Sequence, residues 1–178
     1  MARAANGNVR TLTDWGVLAL LAERPAHGFQ LAKAFAKEGE LGLVWSIQRQ
    51  QVYRALEHLE RDGLVVPVRQ EAARTGPPRT VYEATTAGHE AVATWLLAPV
   101  ERLRHVRHAL LLKLAFLARR GRDPGPLLAA QRPLAERMVA SCERRVGDAP
   151  ATERIVLAWR LESARALLRF LDSTRSEA

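Results

Sequence analysis

Residues 45–66 read WSIQRQQVYRALEHLERDGLVV, one helix that stops hard and turns into a strand. Val52, Ala55, Leu56, Leu59 and Leu64 recur at spacings of three and four, which puts them on a common face. Gly63 stands where the left-handed stop residue of a helix belongs, because only glycine takes positive φ cheaply. The other face begins with Gln48, Arg49, Gln50 and Gln51, then Tyr53 and Arg54. These are long donors and acceptors with no carboxylate among them. Arginine can bind guanine bidentately and glutamine adenine, so this end of the helix suits a major groove. The acids Glu57, Glu60 and Asp62 come later, where they would lie farther from a phosphate backbone. Taken alone, the helix is explained as well by an ordinary solvated face. Its neighbours tip the balance.

Upstream, Thr13 or Asp14 is expected to cap a helix with Trp15, Leu18, Ala19, Leu21 and Ala22 on its buried side. Residues 23–28, ERPAHG, read as a short turn. A second helix follows over about Gly28–Lys37, with Phe29, Leu31, Ala32 and Phe35 as its apolar set, and residues 38–42 break it. Two short helices, a turn and a longer helix over 48–62 have the spacing of a helix-turn-helix unit. Downstream the period changes. Leu64, Val65, Val66 and Val68 form a β-branched run, residues 71–78 (EAARTGPP) are turn chemistry, and residues 80–84 (TVYEA) are a second strand. This hairpin is a wing. Arg69, Arg74 and Arg79 face one acid, Glu71, and arginines on a wing suit a phosphate ridge or a minor groove. Thr85 caps a further helix to about Leu97, with Ala91, Val92, Trp95 and Leu96 apolar.

These motifs, in this order, resemble the PadR family of bacterial transcriptional regulators. The likeness covers about residues 12–97. The family's recognition-helix tyrosine falls on Tyr53, and its Leu-x-x-Leu-x-x-x-Gly-Leu on Leu56, Leu59, Gly63 and Leu64. Its wing residues fall on Gly76, Arg79 and Tyr82, and its Thr-x-x-Gly on Thr85 and Gly88; Leu18 to Leu21 and His27-Gly-Phe-Gln-Leu match its opening. Arg49 to Gln51 depart from it, since many relatives carry smaller residues there, and this leaves base preference open. Ala84 stands where a leucine is usual. The resemblance implies a homodimer joined through the C-terminal region. It also implies a small aromatic effector in an apolar space that Trp45, Trp95 and Trp159 could line, although core packing is the commoner role for each.

The second half reads as helices only. Leu103, Val106, Leu110, Leu114 and Leu117 recur at helical spacing, with Ala109, Leu111, Leu112 and Phe116 widening the apolar face. A further helix uses Leu127, Leu128, Leu134, Met138, Cys142 and Val146, with Pro133 kinking it or starting its second part. The last, about Ala151–Ser173, buries Val156, Leu157, Leu161, Ala164, Leu168 and Leu171. So much apolar surface calls for a second chain, or else for a self-contained three-helix bundle.

Composition bounds the rest. The 178 residues carry a net charge of +8, which favours an anionic partner. Yet residues 1–97 hold 11 basic and 10 acidic side chains, and residues 98–178 hold 16 and 9, so net charge does not locate a site. The single cysteine, Cys142, sits among apolar residues and excludes an intrachain disulfide. His105 and His108, with Glu101 nearby, have metal-compatible spacing, but a bare H-x-x-H is better read as solvated or hydrogen-bonded. His27, in its turn, is expected to make a structural hydrogen bond. No nucleophile elbow, phosphate loop, dinucleotide fingerprint or zinc-protease motif occurs. The N-terminus lacks a signal-peptide core, and no apolar run nears membrane-spanning length, so the expected setting is cytoplasmic.

The sequence therefore predicts a mainly α protein: a tail over 1–10, a winged helix-turn-helix domain with a two-stranded wing over 11–97, and an all-helical dimerisation region over 98–178. The expected partners are double-stranded DNA, a second copy and a small aromatic effector, with no membrane, metal or cofactor and no catalysis. The expected DNA contacts are Gln48, Arg49, Gln50, Gln51, Tyr53, Arg54, Arg74 and Arg79. The expected function is a transcriptional regulator, a repressor on a near-palindromic operator. The alternative is a winged-helix module that binds another protein and no DNA.

Overall fold

The computed structural model describes residues 10–72 and 77–176. Residues 1–9 of the expected tail, and Arg74 and Gly76 of the wing tip, lie outside the described residues. The chain divides into two compact units, one closing at Trp95 and the other opening at Leu96.

The first unit is a winged helix. Helix α1 (Leu12–Leu21) is capped by Thr11, two residues ahead of Thr13. The hydroxyl of Thr11 accepts from the Asp14 amide at 3.2 Å, and the Asp14 carboxylate accepts from the Thr11 amide at 2.8 Å. The reciprocal box needs its acid three residues past the cap, so Asp14 selects Thr11 and is itself buried in the first turn. Strand β1 (Ala26–His27) leads into helix α2 (Gly28–Ala34). His27 caps α2: its Nδ1 accepts from the Gln30 amide at 3.2 Å, and the Gln30 side-chain oxygen accepts from the His27 amide at 3.1 Å. The structural hydrogen bond expected of His27 is therefore present.

Helix α3 (Arg49–Arg61) buries Val52, Ala55, Leu56 and Leu59, the face read from its spacing. It ends as Gly63 requires. Gly63 adopts φ +70°, its amide donates to the Glu60 carbonyl at 3.0 Å, and the Leu64 amide donates to the Leu59 carbonyl at 2.9 Å. These paired bonds satisfy two carbonyls of the last turn while Leu64 folds back beside Leu59. Strands β2 (Val65–Glu71) and β3 (Arg79–Ala84) form the expected wing hairpin, and β1 pairs with β3 to give the antiparallel order β1-β3-β2. The third strand was hidden in the sequence because two residues cannot display alternation. Pro67 lies in β2, an edge strand where its missing N–H is tolerated, and the register slips between Pro67 and Arg69.

Helix α4 (Thr86–Leu97) starts from Thr85, whose hydroxyl accepts from the Gly88 amide at 3.1 Å and donates to the Gly63 carbonyl at 2.9 Å. A Cβ on Gly88 would stand 2.2 Å from the Leu64 carbonyl oxygen, so only glycine lets α4 lie this close to the end of α3. Trp95 on α4 stacks on Trp15 of α1, with ring centroids 5.4 Å apart and planes 3° from parallel.

The second unit holds α5 (Leu103–Arg119), α6 (Gly125–Val146) and α7 (Ala151–Ser176). Helix α6 runs unbroken through Pro133 and packs along α7. The segment before α5 is tied down by two buried polar side chains. Gln131 of α6 accepts from the Val100 amide at 2.7 Å and donates to its carbonyl at 3.0 Å. Lys113 of α5 donates to the Ala98 carbonyl. Among the described residues no helix is long and apolar enough to cross a membrane.

Candidate nucleic-acid interface

The capped start of α3 presents Gln48, Arg49, Gln50, Gln51, Tyr53 and Arg54, all exposed. Their outward direction follows from the helical period, because Val52, Ala55, Leu56 and Leu59 occupy the core side. The three central positions differ in what they leave free. The Gln51 side-chain oxygen accepts from the Gln48 amide at 2.9 Å, so half of that amide is engaged in capping and its NH2 remains as an outward donor. Gln50 makes no side-chain hydrogen bond among the described residues. Arg49 donates through Nη2 to the Tyr53 hydroxyl at 3.3 Å, and its guanidinium carbon lies 5.4 Å from the centre of the Tyr53 ring.

Phe29 joins this group. It was expected among the core residues of α2, but it is 43% exposed. Leu31 and Phe35, one turn apart, take the buried side, and a residue two positions before Leu31 points the opposite way. The guanidinium of Arg49 lies 5.6 Å from the Phe29 ring centre, and that of Arg79 on β3 lies 4.8 Å from it. One exposed ring thus holds an arginine of the reading helix and an arginine of the wing. Cation–π contacts of this kind order a long side chain without neutralising it. No signal in the sequence marks Phe29 as part of a site, because the pairing joins three separate elements.

Between α3 and β3 lies a cleft of about 420 Å³, lined in part by Phe29, Arg49, Tyr53, Glu57, Arg79 and Tyr82. Tyr82 titrates above the usual phenol range, chiefly because burial disfavours its anion and further because Glu60 and Glu57 repel it. The phenol is therefore a neutral hydrogen-bonding group near neutral pH. Among the described residues Arg49, Arg54 and Arg79 have no carboxylate partner. Arg69, by contrast, is paired with Glu71 at 2.8 Å. Asp14 also holds the frame: its carboxylate lies 3.4 Å from Nδ1 of His58, which links α1 to α3. His58 has a partner that its sequence context did not reveal.

The remaining expectations fall elsewhere. Trp45 is half-buried between α2 and α3, Trp95 is buried against Trp15, and Trp159 lies on α7 in the second unit, 75% exposed. Arg104 donates to His105 at 3.1 Å, and among the described residues no three histidine, cysteine or acidic side chains are grouped to hold a metal.

Residues 17–94 match the model of the Transcriptional regulator PadR-like family. Over this span the chain is similar to that family. The matched span runs from α1 to α4 and contains the whole surface just described, Gln48 to Arg54 together with Phe29 and Arg79. The chain is also similar to a probable transcriptional regulator of Mycobacterium tuberculosis, Rv1176c, at 29% identity over 97 residues. That alignment covers 53% of this chain, and the chain spans about half, 49%, of the length of that relative. Among solved structures it is similar to Bacillus subtilis PadR in complex with operator DNA, with a TM-score of 0.49, 21% identity, 97% of this chain and 100% of that one. It is similar as well to the Vibrio cholerae virulence activator AphA, with a TM-score of 0.40, 24% identity, 93% of this chain and 96% of that one.

Proposed function

We propose that this chain is a sequence-specific DNA-binding regulator of transcription that acts as a homodimer and represses. The observation that carries the reading is the unneutralised arginine pair, Arg49 and Arg79, held on Phe29 beside an exposed glutamine-rich helix start. Arg49, Gln50 and the free amine of Gln51 supply the donors and acceptors that base edges require. Tyr53 and Arg54 contact phosphate at the groove entry, Arg79 contacts phosphate or the minor groove, and Arg74 is proposed as a further phosphate contact. Sequence selection therefore comes from α3 and most of the salt-dependent affinity from the arginines.

A regulator of this kind needs two reading helices about 34–36 Å apart. Residues 11–97 are the reading domain in this proposal, and residues 98–178 join two copies. Ile155, Val156 and Trp159, on neighbouring turns of α7, are large apolar side chains left exposed in one chain, which supports pairing. Repression follows when the bound dimer occludes the polymerase. A small aromatic effector would release the operator by changing the separation of the helices.

The test is selection of bound duplexes from a random pool, followed by mobility shifts over a salt series. A recovered near-palindrome and a steep salt dependence are expected. No duplex binding, or binding indifferent to sequence and salt, would replace this reading with that of a protein-binding module, and a chain that sediments as a monomer while bound would overturn the homodimer.

A further inference from the structure

The second unit contains a cleft of about 560 Å³ at the start of α5, walled by α6 and α7. Its lining combines two chemistries. Arg102, Arg104, Arg137 and Arg160 line it together with Met138 and Leu157. Leu157 is almost wholly buried and Met138 half-buried, so the base of the cleft is apolar.

Some arginines of this unit are compensated and those of the lining mostly are not. Arg132 pairs with Glu136 and Asp172, and Arg165 pairs with Glu143 and Glu162. Arg145, at the cleft itself, pairs with Glu153 at 2.7 Å. The side chains of Arg102, Arg137 and Arg160, by contrast, have no hydrogen-bonding or ionic partner among the described residues, and that of Arg104 donates only to His105. Glu101 is the sole carboxylate among the lining residues. Four guanidinium groups against one carboxylate leave a clear excess of positive charge beside a low-dielectric base.

We propose that this cleft binds a small ligand with a doubly charged anionic head on an apolar body, such as an organic phosphate monoester. The charge excess matches a dianion better than a monoanion. Guanidinium groups bind phosphate oxygens in bidentate fashion, and such bonds strengthen next to apolar surface. The volume lies within the range of small-molecule sites, about 300–1,000 Å³. The inference goes beyond the regulator reading and does not depend on it, because binding is measured without DNA.

The experiment is calorimetric titration of the full chain with phenyl phosphate, with inorganic phosphate, benzoate and phenol as comparisons. Phenyl phosphate should bind most tightly. Arg137→Gln and Arg160→Gln should each weaken it about 10–100-fold, the range for a lost hydrogen bond to a charged group. Arg165→Gln, whose cation is already paired outside the cleft, should leave it unchanged. Circular dichroism checks that each variant keeps its fold, and a variant that fails is replaced by Arg→Lys at the same position, which keeps the charge and loses the fork. Equal affinity for inorganic phosphate and phenyl phosphate would overturn the apolar-body part of the proposal. No binding of any probe, or binding unmoved by Arg137→Gln and Arg160→Gln, would overturn the site.

Discussion

The two units differ far more in net charge than in the unpaired arginine they present. Residues 1–97 are almost electrically balanced, with 11 basic and 10 acidic side chains, while residues 98–178 hold 16 and 9. Yet the nearly neutral half holds the candidate DNA surface. There Arg49 and Arg79 rest on an aromatic ring and keep their full charge. In the strongly basic half, Arg132, Arg145 and Arg165 are each tied to carboxylates, and the unpaired Arg102, Arg137 and Arg160 line a cleft instead. What an anionic partner meets is set by the charges left unpaired on one face rather than by the net charge of a segment.

The units also differ in what fixes their backbones, and the largest expected effect separates them. The first unit depends on close backbone approach. Gly88→Val would place branched carbons where even a Cβ stands 2.2 Å from the Leu64 carbonyl oxygen. We expect a loss of ~4 kcal/mol or more in the first unit, with melting followed by near-ultraviolet circular dichroism of the Trp15–Trp95 stack. An unchanged melting temperature would mean that α4 is not held against the end of α3.

In the second unit the segment before α5 is tied by buried polar groups, and the unit should respond to pH. Lys113 is 3% exposed, and burial lowers its pKa from 10.5 to about 8. Between those values the folded chain binds fewer protons than the unfolded chain, so this group makes stability rise with pH. The penalty is fully present below about pH 8 and is relieved by about pH 10.5, for about 3 kcal/mol in all. Urea melts of the parent and of Lys113→Met across that window should differ in slope, with the rise confined to the parent. Other groups that titrate in alkali are common to both proteins and drop out of the difference. Parallel curves would show that the ammonium is hydrated.

A smaller effect probes the charge contrast itself. Arg49→Ala should lose ~1–3 kcal/mol on the selected operator and relax base choice at one position. Arg79→Ala should weaken binding across all duplexes and flatten the salt slope by about 1. If the two variants behave alike on every sequence, the division between a reading helix and a phosphate-binding wing fails. Arg165→Ala, in the other unit, should leave both affinity and slope unchanged.

Legibility follows the same divide. In the first unit the chain is punctuated by residues with one physical use: Gly63 to end α3, Thr85 to start α4, and apolar spacing to choose the buried side of α3. Those elements could be read directly. The capping box at Thr11 was misplaced by two residues because Thr13 and Asp14 are equally good caps when their burial is unknown. In the second unit Pro133 suggested a kink or the start of a second part; α6 continues through it as one helix, since packing along α7 outweighs one missing hydrogen bond. Gln131 and Lys113 carried no sign of burial, because each is satisfied by a backbone segment far away in sequence.

Phe29 is the strongest case of what the sequence concealed, and it gives the finest test. Its ring is 43% exposed, so it adds little to the core, and Phe29→Leu should move the melting temperature only slightly. What leucine lacks is the π face. Each exposed cation–π contact contributes about 0.5–1 kcal/mol, and losing it frees a long side chain to sample more rotamers before binding. Operator affinity should therefore fall about fivefold, or ~1 kcal/mol. A lower affinity could also come from a shift of α2, so a double-mutant cycle is needed. In an Arg49→Ala background Phe29→Leu should lose a large part of its effect, because one of its two clients is gone. Full additivity of the two substitutions would mean that Phe29 acts on DNA by a route other than holding Arg49, and the paired-arginine surface would have to be redrawn around Arg79 alone.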